Sequence, residues 1–186
     1  MGELHILDPG ALLTVQDRGR PGFAHLGVPR SGAVDLPSHD LANRLVGNPD
    51  DAATLETTLT GCRFTVTTAT RIAVTGALCQ VRVDGRARAW GTALTVPASA
   101  EVVVGPADSG LRSHVAVAGG VLVGETLGSR STDVLSGLGP APLTTGSVIP
   151  LGTPPPAAPW VEVPPRAAST APIEVLPGPQ RDWFGE

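Results

Sequence analysis

Residues 54–76 read TLETTLTGCRFTVTTATRIAVTG, and this stretch decides the fold class. It divides into short runs rich in Thr, Val and Ile, the residue types that pack well on a pleated surface. In CRFTVTT, Phe64 and Val66 alternate with polar neighbours, the period of a half-buried strand. The same texture continues through QVRVDGRARAW, TALTVPA, EVVVGP and RSHVAVAGGVLV to about Val123. Turn signals recur along it, among them Asp84-Gly85 and Gly105-Pro106. Short runs between regular turns predict antiparallel β structure, a barrel or a sandwich.

Outward from this core, ELHIL (3–7) and ALLTVQ (11–16) read as strands joined by a turn at Asp8-Pro9-Gly10. One helix is predicted over 36–47. Asp35 can cap its N-terminus, Pro37 suits the first turn, and Leu36, Leu41, Ala42, Leu45 and Val46 give it an apolar side. Gly47-Asn48-Pro49 ends it, and Asp50 and Asp51 read as the start of another helical turn. Residues 124–146 have loop character, and GSVIPLG (146–152) reads as a closing strand. The expected organisation is a β domain over 1–152, a stiff Pro-rich linker over 153–172, and over 173–186 the start of a second domain.

Composition narrows the chemistry. The 186 residues contain no lysine and no tyrosine, so all thirteen basic side chains are arginine. That excludes a P-loop lysine, a Schiff base and a biotinyl-carrier lysine within this stretch. A net charge of −4 is the wrong sign for a sequence-blind nucleic-acid binder. No apolar run is long enough to span a membrane, and MGELHILDPG has neither the basic nor the apolar region of a signal peptide. A cytoplasmic protein is expected. Cys62 and Cys79 read as small core residues, with a disulfide or metal pair as the alternative.

Two loops and three embedded polar residues can carry chemistry. The loop 17–35 holds Asp17, Arg18, Arg20, His25, Arg30, Ser31 and Asp35 among its glycines. Glycine allows close backbone approach to an anion, and arginine offers a planar fork for carboxylate or phosphate. The plainer reading is loop salt bridges, an N-cap at Asp35 and a packed histidine at His25. The second loop ends in Gly128-Ser129-Arg130-Ser131-Thr132, a candidate anion nest or a plain β-turn. Asn43 and Arg44 are polar residues embedded in the helix, and Asn43 can cap a neighbouring turn. Glu56 lies in the apolar setting of TLETTL, where it can serve as a general base or pair with Arg20 or Arg130. No cluster with metal-ligand spacing is present.

The segment TVQDRGRPGFAHLGVPRSGAVD (14–35), with DLANRLVGN (40–48), AATLETTLTG (52–61), AVAGG (116–120), LGSRST (127–132) and VLPGPQRDWF (175–184), resembles the carboxyltransferase A/B family. This is the family of the 5-oxoprolinase C subunit, also called allophanate hydrolase subunit 2, and of a segment of urea carboxylase. The sequence departs from the family pattern at His114-Val115, where Tyr-Leu is usual, at Ser147, where Asp is usual, and at Val34, where Met is usual. The resemblance implies a cyclophilin-like β-barrel, with this chain matching about the first half of the family module. It implies one component of an ATP-dependent (with Mg) 5-oxoprolinase, an amide hydrolase of several subunits. The partners it implies are that enzyme's B component, itself homologous and cyclophilin-like, and its A component. Two other roles are open under it. One is a biotin-dependent carboxyltransferase component of a urea amidolyase, and the other a non-catalytic module binding a kinase-inhibitor-like partner. Under the first role Asp17, Asp35 and Glu56 are the expected catalytic carboxylates. Arg20, Arg30, Ser31, Asn43, Ser129, Arg130 and Ser131 are expected to bind substrate or anion.

Overall fold

The computed structural model describes residues 2–156 together with Val163 and Trp183. In chain order the elements are β1 (Glu3–Asp8), β2 (Leu13–Gln16), α1 (Leu36–Val46), β3 (Thr54–Thr58), β4 (Cys62–Val66), β5 (Thr70–Val83), β6 (Arg86–Arg88), β7 (Leu94–Val96), β8 (Glu101–Val117) and β9 (Val148–Pro150). The fold is mainly β, as the sequence predicts, and the sheet curls into a half-barrel. Most expected strands and the helix fall where the pattern puts them, within a residue or two at their ends, but the run expected to reach Val123 stops at Val117, with only an isolated bridge Val121↔Leu151 beyond it. The linker and second-domain readings lie almost wholly outside the described residues.

The curl comes from β8. Along one edge it pairs with β4 through Glu101–Val104 and then with β3 through Arg112–Val115. Along the other edge it pairs with β5 from Val83↔Val102 to Ile72↔Val117. The predicted turn at Gly105-Pro106 is therefore corrected: β8 runs straight through it. Pro106 has no N–H to give to a ladder, and it is tolerated here because β8 is changing partners on one edge and bulged against β5 on the other. The register shifts in β5 between Gly76 and Val81 merge two expected strands into one bent strand. Asp84-Gly85 does turn: both residues have positive φ (49° and 73°), the conformation of a tight hairpin between β5 and β6. Asp50 and Asp51 form a turn rather than a helical start.

Strand alternation gives the sheet two different faces. One carries the main apolar core, including Leu4, Ile6, Leu13, Val15, Leu55 and Phe64. The other is covered by α1, whose Ala42, Leu45 and Val46 sit on the small side chains of Ala73, Ala116 and Ala118. Alanine on the strands lets the helix axis come close. Asp35 caps α1, its carboxylate accepting from Ser38 N at 3.1 Å, and Gly47 closes the helix at φ 83°. At the helix C-terminus Arg71 Nη2 lies between Val46 O (3.4 Å) and Pro155 O (2.7 Å). Nearby, Val163 N donates to Gly91 O at 3.1 Å. Under the first turns of α1 the same sheet face turns polar. The register places Thr14 beside Glu56, Glu56 beside His114, and His114 beside Thr75. Cys62 and Cys79 are both free and buried, and burial pushes the Cys62 thiol up to about 12. No helix among the described residues is long and apolar enough to cross a membrane.

Phe64 is the largest apolar side chain wholly buried in the core. Phe64→Ala is expected to cost about 3–5 kcal/mol, read as a fall in the urea midpoint at unchanged slope.

Candidate functional site

The two predicted loops meet, and a single carboxylate joins them. Asp17 leaves the end of β2 and is buried. Its Oδ1 accepts from Gly19 N (2.7 Å), Ser129 Oγ (2.7 Å) and Ser131 Oγ (2.5 Å), and its Oδ2 accepts from Arg130 N (2.6 Å). Burial pushes the Asp17 carboxyl up, but the four hydrogen bonds together outweigh it and hold the group below its ordinary value. Arg20 is 1% exposed and donates to Ser131 O and, at 3.3 Å, to Thr126 O. Within the first loop the backbone crosses itself closely. A Cβ on Gly19 would lie 2.5 Å from Arg30 O, so only glycine fits. Arg20 N donates to Arg30 O at 2.7 Å across that crossing.

Most of the expected anion binders are thus turned toward the protein itself. Ser31 Oγ donates to Thr132 O at 3.2 Å. Arg130 pairs with Glu125 at 2.8 Å and donates to Val123 O. Asn43 Nδ2 donates to Ala52 O at 2.8 Å, and its Oδ1 accepts from Asn48, so it braces the turn after α1. Asp35 is the N-cap already described. His25, expected to be packed, is exposed and donates from Nδ1 to Gly22 O. Arg30 differs from the rest: its backbone is locked, while its side chain is exposed and makes no ion pair among the described residues.

Glu56 stands apart from this staple. It pairs with neither Arg20 nor Arg130, which corrects the expectation, because the β3–β8 register puts Arg112 and His114 on its own face. Glu56 is 2% exposed. Its Oε1 accepts from Arg112 Nη1 at 3.1 Å and its Oε2 from Val34 N at 3.0 Å. Arg112 Nη1 also donates to Thr58 Oγ1 at 2.6 Å. Burial raises the Glu56 carboxyl above its ordinary value, and the Val34 amide and Arg112 offset this only in part. His114 Nε2 lies 3.9 Å from Glu56 Oε2. Burial, with His39 adding to it, pushes the His114 imidazole down to about 4, so the ring is neutral. His39 meets His114 edge-on, with ring centroids 6.0 Å apart, and donates from Nδ1 to Asp40 Oδ1 at 3.2 Å. Arg18 stands 3.7 Å from the other oxygen of Asp40.

His39, Arg112 and His114 are not among the site residues expected from the sequence, where His114 stands out only as a departure from the family pattern. The available signal was weak: Arg112 and His114 are ionisable residues at period two just before the apolar end of β8, matching Thr58 and Glu56 opposite. Among the described residues no three His, Cys, Asp or Glu side chains converge as a metal-binding group.

The family model described as carboxyltransferase domain, subdomain A and B, matches residues 26–186. The 5-oxoprolinase C subunit of Escherichia coli K12 is 40% identical over 136 residues, 73% of this chain and 44% of that protein. The urea amidolyase of Saccharomyces cerevisiae is 36% identical over 137 residues, 73% of this chain and 8% of that protein. Among solved structures, TTHA0988 superposes with a TM-score of 0.89 at 36% identity, covering 97% of this chain and 37% of that one. The K. lactis urea amidolyase gives 0.79 at 34%, covering 84% and 10%. The chain spans less than half the length of these relatives.

Two acid windows follow from the site. His114 has its pKa lowered from 6.5 to about 4, so between those values the unfolded chain takes up a proton that the folded one refuses. Stability therefore falls as pH drops through that window, by about 3 kcal/mol at 1.36 kcal/mol per unit. Asp17, held below 3.8, contributes stability that is present above that value and lost as pH falls through its folded pKa. Urea unfolding across pH 7 to 3 separates the two. His114→Gln removes the His114 share of the upper window, which the raised carboxyl of Glu56 partly offsets. Asp17→Asn narrows the lower one, to which Asp50 and Asp133, also held below 3.8, contribute as well, and costs about 1–3 kcal/mol at pH 7 for each buried donor it strands.

Proposed function

The chain belongs to the carboxyltransferase A and B family, and from that membership we propose that it serves an ATP-dependent amide hydrolase of the 5-oxoprolinase type, acting with the A and B components of such an enzyme. The observation that supports this reading is Glu56. A buried carboxylate with a raised pKa, set between an arginine and a neutral imidazole, suits a group that takes up and releases a proton. An ionised carboxylate has about four acceptor positions, of which Val34 N and Arg112 occupy two. The others are free to exchange a proton with a water held in the polar row under α1.

Opening a lactam also requires a home for negative charge. Arg30 is suited to it, because the Gly19 crossing fixes its backbone while its guanidinium faces solvent. In this reading Arg20, Arg130, Ser129, Ser131 and Asp17 hold the loops that present Arg30, and Asp35 and Asn43 hold the ends of α1. Bound ATP with Mg would activate the amide oxygen. The 186 residues contain no lysine, so any lysine on the phosphates comes from a partner or from other residues of the same protein.

The similarity to urea amidolyases supports a second reading, a carboxyltransferase component that handles biotin. The two separate in one reconstitution of the full-length protein with the A and B components, or with a carboxybiotin donor and urea. Glutamate release from 5-oxoproline with ATP turnover is expected. Glu56→Gln is expected to lower kcat by about 10²–10⁴-fold, and Arg30→Ala to lower kcat/KM by about 10–100-fold. Full activity of Glu56→Gln refutes the role given to Glu56. Carboxyl transfer to urea without 5-oxoproline hydrolysis moves the assignment to the second reading.

A further inference from the structure

The polar row under α1 contains a hydrogen-bond deficit. His39 and His114 are wholly buried, yet His39 Nε2, His114 Nδ1 and His114 Nε2 have no partner among the described residues. Buried polar atoms are almost always paired, with protein or with an ordered water. The spacing says which applies. His114 Nε2 and Glu56 Oε2 are 3.9 Å apart, too far for a direct bond. A water about 2.8 Å from each would subtend roughly 90°, close to its own bonding angle.

The donors and acceptors balance around such a water. His39 donates from Nδ1 to Asp40, so its Nε2 is a bare lone pair that needs a donor. Glu56 Oε2 has room for a second donor beside Val34 N. A water gives one hydrogen to each and accepts the Nε2–H of His114. A metal in the same place is disfavoured by the donor set, which does not converge as a metal-binding group.

We propose that α1 encloses an ordered water bridging Glu56, His114 and His39, and that Asp40–His39–water–Glu56 is the proton path between a sealed carboxylate and solvent. The path rests on the role given above to Glu56, whose 2% exposure leaves it no direct exchange with bulk water. A proton on Glu56 passes to the water, the water passes one of its own to His39 Nε2, and His39 releases its Nδ1–H to Asp40. Asp40, with a side chain 13% exposed beside Arg18, gives it to solvent. Each bond to hydrogen that breaks is replaced by one that forms. The charged neighbours are Arg112 and Asp35 on the Glu56 side and Arg18 on the Asp40 side.

Two experiments test it. On this chain, long-range 15N–1H spectra are expected to give the Nδ1–H tautomer for His39 and the Nε2–H tautomer for His114. Water 17O relaxation dispersion is expected to count one long-lived water fewer in His39→Leu than in the wild type. The opposite tautomer on either ring, or an unchanged count, overturns the water site. On the full-length enzyme assembled with its partners, His39→Gln and Asp40→Asn are expected to lower kcat about tenfold. KM should hold and the D₂O effect should rise. Asp40→Asn, at a partly exposed side chain, carries the test where a His39 variant fails to fold. If Glu56→Gln abolishes activity while both relay variants keep kcat and the D₂O effect, the path is wrong. If Glu56→Gln is itself fully active, the functional reading fails, and the water and its tautomers are still judged by the spectra.

Discussion

The four hydrogen bonds converging on Asp17 are the constraint on which the arrangement of the two loops depends. Three of them come from residues more than a hundred positions away in sequence, Ser129, Arg130 and Ser131. A buried carboxylate is costly unless its oxygens are fully engaged, and here they are. The same contact joins two loops whose backbone otherwise meets the sheet only at its margin, as where Thr132 N donates to Val15 O at 2.8 Å. The Gly19 crossing, the burial of Arg20 and the exposure of Arg30 all follow from where Asp17 is pinned.

The second organising fact is the unequal treatment of the two sheet faces. Alternation along β3, β5 and β8 sends Val, Leu and Ile to one side, and Ala, Thr, His and Glu to the other. The apolar side supplies most of the burial that holds the sheet together. The other side accepts α1 over three alanines toward its C-terminal end and over the polar row under its first turns. Small residues set the helix close, and ionisable ones are enclosed in the same step. The fold therefore seals Glu56 and His114 through the packing that stabilises it.

Local chemistry was legible in the sequence, and distant pairing was not. The alternation of Phe64 and Val66, the cap at Asp35, the stop at Gly47 and the hairpin turn at Asp84-Gly85 each depend on a few neighbouring residues, and each was readable. The merging of strands into β5 and β8 was hidden because bulges and Pro106 look like turns when only one strand is in view. Asp17 and Glu56 were singled out, but their partners needed the register: Arg112 and His114 face Glu56 only because Thr58 pairs with Arg112. His39 carried no signal, since a histidine in a helix reads the same whether or not it meets another ring. The family resemblance, carried by ordered motifs rather than by composition, was confirmed by the family match.

Arg71 ties two things that are otherwise independent. One guanidinium nitrogen serves the last carbonyl of α1 and the carbonyls of Pro155 and Pro156. Proline fixes φ, so the backbone there has little freedom to absorb a displacement. The bearing on which the chain leaves the half-barrel is thereby referenced to the axis of the helix that covers Glu56. In mechanical terms the helix is held at three points along its length: the polar row under its first turns, the alanine seat, and the Arg71 tie at its last carbonyl.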